Sequence, residues 1–157
     1  MIISTLEKTN IVFILADDMA VWAARCYGNA EIRTPSLDRM AATGVRFENF
    51  FVTIPVCSAS RASFLTGRIP SQHGVHDFIG GHANFGDKGP SFLDDEVCYT
   101  NVLADNGWTC GLSGKWHLGK SSLPQCGFSH WFAHPGGASA YNDQNMIRDG
   151  VTEVVPG

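Results

Sequence analysis

Asn10-Ile11-Val12-Phe13-Ile14-Leu15-Ala16, closed by Asp17 and Asp18, is the stretch on which the fold turns. An unbroken apolar run of this length, rather than an alternation, predicts a strand buried on both faces. The two carboxylates then stand at its C-terminal end. Downstream, Thr34-Pro35-Ser36 predicts a helix start, with Thr34 as N-cap and Pro35 in the first turn. Leu37, Met40 and Ala41 follow at helical spacing and Gly44 stops the helix. Residues 45–52 are expected as a strand and 58–66 as a short helix ending at Gly67. Residues 92–106 are expected as another helix, with Asp94, Asp95 and Glu96 in its first turn, where the helix dipole favours negative charge. Gly107 ends it, and a strand over 108–113 leads into Gly114-Lys115-Trp116-His117. This order predicts an α/β fold, a mostly parallel sheet flanked by helices. In such sheets ligands sit beyond the carboxyl ends of the strands. Asp17/Asp18, the Cys57 segment and Lys115/His117 would then meet along one edge. The stretch after Phe128 shows little periodicity.

Composition narrows the classes. The 157 residues are 44% hydrophobic and 17% charged, the balance of an ordinary globular chain able to bury a core. The net charge is −4, with no basic runs, which argues against nucleic acid or an anionic membrane as partner. The longest apolar run is too short to cross a bilayer. As written, residues 1–10 carry no secretory signal. The expectation is cytoplasmic, or periplasmic or secreted if the true N-terminus lies upstream. The five cysteines, Cys26, Cys57, Cys98, Cys110 and Cys126, are odd in number and hold no C-x-x-C pair. That disfavours a disulfide framework and a structural zinc site, and makes each a small buried apolar residue unless its neighbours say otherwise.

Three segments carry chemistry. Asp17-Asp18 is either a solvated turn or the start of a hard-cation site, since Ca²⁺ and Mg²⁺ collect carboxylate and carbonyl oxygens. Cys57-Ser58-Ala59-Ser60-Arg61 is either a small-residue helix start or a nucleophile at a helix N-terminus. There the free N–H groups favour an anion, and Arg61, one turn on, shares the same face. Gly114-Lys115-Trp116-His117-Leu118-Gly119 is either a surface lysine beside a core-edge histidine or a cation and an imidazole aimed at one ligand. The second reading needs extended backbone, in which residues two apart point the same way.

Taken in order, Ile-Leu-Ala-Asp-Asp, Cys-Ser-Ala-Ser-Arg with Leu-Thr-Gly-Arg after it, and Gly-Lys-Trp-His-Leu-Gly resemble the formylglycine-dependent (type I) sulfatases of the alkaline-phosphatase-like superfamily. The likeness runs from about Asn10 to Gly119, and more loosely through Gly127-Phe128-Ser129-His130-Trp131. It implies the alkaline-phosphatase-like fold and a sulfuric ester hydrolase, an arylsulfatase-like enzyme. A maturase would oxidise Cys57 to formylglycine, whose hydrated form is a geminal diol. One diol oxygen attacks sulfur, the alcohol leaves, and the second hydroxyl collapses to the aldehyde and expels sulfate. An ordinary serine or cysteine would instead be left as a stable ester. By matching motif, Asp17, Asp18 and the modified Cys57 would bind Ca²⁺, with Mg²⁺ as the alternative metal. Arg61 would position the nucleophile. Lys115 would bind sulfate and the nucleophile, and His117 would hydrogen-bond a diol hydroxyl or a sulfate oxygen. The implied partners are a sulfated small molecule or glycan and the maturase.

The sequence also departs from the family. Ala59 stands where many members have proline, and Trp108 and Cys110 differ mildly from the usual residues. The family's later metal-binding pair, second sulfate-binding lysine and leaving-group histidine have no motif-matched positions here. Residues 1–157 are therefore expected to be the N-terminal part of one catalytic domain, an incomplete fold with little activity alone. A phosphonate or phosphodiester hydrolase of the same superfamily is a competing expectation, since it can use the same cysteine motif. A non-catalytic remnant that binds anions is the other.

Overall fold

The computed structural model describes residues 9–81 and 84–156. The chain divides between Phe51 and Val52 into two compact units.

The first unit holds two 3-10 turns, Val21–Ala23 and Arg25–Tyr27, and helix α1, Pro35–Thr43. Helix α1 begins and ends where the sequence predicts. Thr34 is the N-cap, Pro35 opens the first turn, and the Gly44 N–H bonds the Met40 carbonyl. Thr34 Oγ1 also accepts the Arg25 N–H at 2.9 Å, tying the second 3-10 turn to the helix start. The Tyr27 hydroxyl reaches the Phe47 carbonyl at 3.1 Å.

Residues 10–16 and 45–52 are not strands, contrary to the expectation from their apolar runs. Val12 and Ile14 are 84% and 79% exposed. A strand buried on both faces needs a hydrogen-bonded neighbour at each edge and a covering layer on each side. The strands among the described residues all belong to one sheet in the second unit, and none pairs with either segment.

The second unit is α/β. Helix α2, Cys57–Thr66, is followed by the short α3, Pro70–His73, and α4, Tyr99–Asp105. Strands β1, Cys110–Gly114, β2, Phe128–Ala133, β3, Gln144–Arg148, and β4, Val151–Val155, form a four-stranded sheet in sequential order. β1 and β2 are parallel, whereas β2–β3 and β3–β4 are antiparallel, so the sheet is mixed. Asp149 and Gly150, both at positive φ, turn the β3–β4 hairpin in the sense that matches strand twist. The predicted helix over 92–106 is shorter than expected. It starts only after Cys98, whose N–H bonds Asn101 Oδ1 at 2.9 Å, while Glu96 is drawn aside to Arg68.

Helix α2 buries Ser58, Ala59, Ala62 and Leu65 along one stripe, the i, i+4, i+7 spacing of a core-facing helix. Ala59 and Ala62 are wholly buried, and their small size lets the helix approach the core closely. Trp116 and Trp131 meet edge-on at 5.1 Å between ring centroids, and the Trp131 indole N–H bonds the Ser121 carbonyl at 2.7 Å. This pair anchors the segment after β1 and the middle of β2 to the core. Among the described residues no helix is long and apolar enough to cross a membrane.

Candidate active site

Helix α2 begins at Cys57, preceded by Val56 in extended backbone. Cys57 is half-buried and in no disulfide; it lies in the first turn, where backbone N–H groups have no intrahelical acceptor. Ser58 fixes this end of the helix: it is fully buried, and its hydroxyl accepts the Ile79 N–H at 3.2 Å. Arg61 lies on the same face as Cys57, four residues on, and its Nη1 donates to the Lys115 carbonyl at 2.7 Å. That bond ties the start of α2 to the residue that follows β1, bringing the Cys57 segment and the Lys115 segment together.

His117 lies almost wholly buried, 1% exposed. Its backbone takes φ 58°, so the Lys115–His117 stretch is not the extended segment in which both side chains would point alike. The ring is held by neighbours instead. Nε2 lies 3.0 Å from the Ile79 carbonyl and donates to it, Phe78 meets the ring edge-on at 4.8 Å, and Phe85 covers it at 5.7 Å. Gly137 closes the remaining side, where a Cβ would stand 2.2 Å from Nε2.

One residue of this neighbourhood is not marked by the sequence. The His134 N–H bonds the Gly114 carbonyl at 3.0 Å, one step beyond the Gly114–Ala133 register, which sets it beside Lys115. Its Nδ1 is buried and makes no hydrogen bond among the described residues. Burial pushes the imidazole below its usual pKa, and the charges of Lys115 and Arg61 push the same way. The only sequence signal is a histidine at the end of an aromatic-rich strand.

A second histidine pairing is structural. His73 Nδ1 accepts the Val75 N–H at 3.1 Å, so Nε2 carries the proton and faces Ser63 Oγ at 2.9 Å. Donating to Ser63, it cannot act as a base toward that hydroxyl.

Asp17 and Asp18 belong to the first unit. Both carboxylates are exposed in a bend, with Asp18 at φ 55°. Their oxygens suit a hard cation in kind, but two carboxylates are a partial set for an ion that takes six to eight oxygens. Among the described residues no group of three or more His, Cys, Asp or Glu side chains gathers to hold a metal.

The Sulfatase family model matches residues 9–150. Over 131 residues the chain is 37% identical to the steryl-sulfatase of Homo sapiens, covering 83% of this chain and 22% of that protein. Over 110 residues it is 41% identical to the arylsulfatase A of Homo sapiens, covering 70% and 21%. Among solved structures, one determined in complex with its substrate D-glucosamine-2-N,6-O-disulfate superposes with a TM-score of 0.78 at 33% identity. It covers 94% of this chain and 28% of that one. The chain thus spans about a fifth of the length of the curated relatives it matches.

Proposed function

The chain belongs to the sulfatase family, and on that premise we propose that the polypeptide containing it hydrolyses sulfuric esters with a formylglycine made from Cys57. The observation that carries this is the join between the two motif segments. Cys57 opens α2, Arg61 stands one turn along it, and the Arg61 guanidinium is bonded to the Lys115 carbonyl. A helix N-terminus, a guanidinium and an ammonium in one neighbourhood offer positive potential where a sulfate ester would sit.

In this proposal each side chain has a task. Arg61 holds the end of α2 to the Lys115 segment and fixes the position of residue 57. Lys115 supplies charge to the sulfate oxygens. His117, whose ring is held by the Ile79 carbonyl, Phe78 and Gly137, would hydrogen-bond a hydroxyl of the hydrated residue 57 or a sulfate oxygen. By the family's pattern, Ca²⁺ would take oxygens from Asp17, Asp18 and the modified residue 57 and complete its shell from further groups. When bound, the cation would polarise the sulfate oxygens and favour ionisation of the nucleophile. The maturase that oxidises Cys57 is the implied protein partner. A sulfated glycan is the first substrate class to test, because the solved relative binds a disulfated glucosamine.

The test uses the longest open frame containing this chain, expressed with a formylglycine-generating maturase. It is assayed on an aryl sulfate, an aryl phosphonate and glucosamine 6-sulfate. Sulfate-ester turnover that disappears in Cys57→Ala is the expected result. Turnover unaffected by that substitution, or a preference for the phosphonate, would overturn the proposal.

A further inference from the structure

Cys98 and Cys126 are 28 positions apart in sequence, yet the fold sets them side by side. Cys98 is wholly buried at the start of α4. Cys126 is half-buried, at φ 51°, in the segment between the Lys115–His117 stretch and β2. Thr100 Oγ1 donates to the Cys126 carbonyl at 2.5 Å. A Cβ on Gly127 would stand 2.6 Å from the Thr100 carbonyl oxygen and 2.7 Å from the Asn101 nitrogen. Residues 126–127 therefore run against the first turn of α4 at backbone contact. Cys98 belongs to the buried core and Cys126 packs against it, and the two thiols perturb each other's ionisation. Cys110, the third cysteine nearby, turns its sulfur to the Thr100 carbonyl at 3.7 Å.

We propose that Cys98 and Cys126 are a disulfide-forming pair that reacts with a small-molecule disulfide and fastens the start of α4 to the segment after His117. The balance is that of thiol–disulfide exchange. Access decides which sulfur reacts first: Cys126, the more exposed of the two, gives up its proton to solvent and attacks one sulfur of oxidised glutathione. One glutathione leaves as a thiol and Cys126 becomes a mixed disulfide. The Cys98 thiolate then attacks the Cys126 sulfur and expels the second glutathione. Two protein thiols give up two protons and two electrons, and one small disulfide becomes two thiols. The site is independent of the sulfatase chemistry, because neither sulfur takes part in it. The odd cysteine count hid the pair, since proximity across 28 residues is a property of the fold and not of the spacing.

The reduced full chain is incubated with oxidised glutathione under native conditions, alkylated and mapped by peptide mass spectrometry. The proposal expects one internal linkage, between the Cys98 and Cys126 peptides, with both thiols lost at the same rate. It also expects a higher melting temperature than the reduced chain and the same linkage in Cys110→Ser. In chain oxidised while unfolded in urea the preference should vanish. A glutathione adduct that persists on Cys126, bonding of either residue to Cys110, or pairing no more selective than in urea would overturn it.

Discussion

Gly137 sets the position of His117 by having no side chain. Gly137→Ala would place a methyl 2.2 Å from His117 Nε2, on the atom that bonds the Ile79 carbonyl. Displacing a fully buried ring costs about 2 kcal/mol, a fall of roughly 4–8 °C in melting temperature. Calorimetry of the variant checks this, and an unchanged melting temperature would show that the contact yields freely. His73 predicts a pH dependence. Burial holds its folded pKa below the ordinary 6.5, with Glu96 opposing in part. The unfolded chain therefore takes up the proton more readily than the folded one. The stabilisation is complete above about pH 6.5 and is lost as the pH falls below that value. Melting temperatures measured across that range should decline toward acid, and His73→Gln should flatten the decline. Cys57, Arg61, Lys115 and His117 were marked in the sequence because each sits in a short motif, and the Arg61–Lys115 bond brings two of those motifs together. His134 was not, because only the β1–β2 register sets it beside Lys115.

At the scale of elements, what was legible had local causes. Helix α1 is announced by Thr34-Pro35 and closed by Gly44, and α2 is closed by Gly67 at φ 68°. Caps act over a few residues, so sequence alone locates them. Strands depend on partners far along the chain, so the apolar runs at 10–16 and 45–52 could not show whether a ladder would form. The cap at Cys98 overrode the acidic triplet before it for a local reason as well: the Asn101 side chain turns back to the Cys98 N–H. Ala59 offers a test at this scale. It lies in the first turn of α2, where a missing N–H breaks no intrahelical bond, but it is wholly buried. Ala59→Pro should leave the helical signal in circular dichroism intact and cost about 1–3 kcal/mol through crowding alone. Loss of the α2 helical signal would contradict this.

For the molecule as a whole, the family was legible because three motifs keep their order over more than a hundred residues, and the Sulfatase model matches 9–150. The metal is a matter for solution work. In the longest open frame, a chelator should abolish aryl sulfate hydrolysis and added Ca²⁺ should restore it. Asp17→Asn or Asp18→Asn should raise the Ca²⁺ needed for half-activity by more than roughly tenfold. Activity indifferent to chelation would remove the two carboxylates from the mechanism. The most direct measurement is the mass of the peptide containing residue 57, purified from a host whose maturase converts a control sulfatase. The expected residue has exchanged one sulfur and two hydrogens for one oxygen, the aldehyde of formylglycine. An intact cysteine thiol at that position, in a preparation where the control is converted, would contradict it.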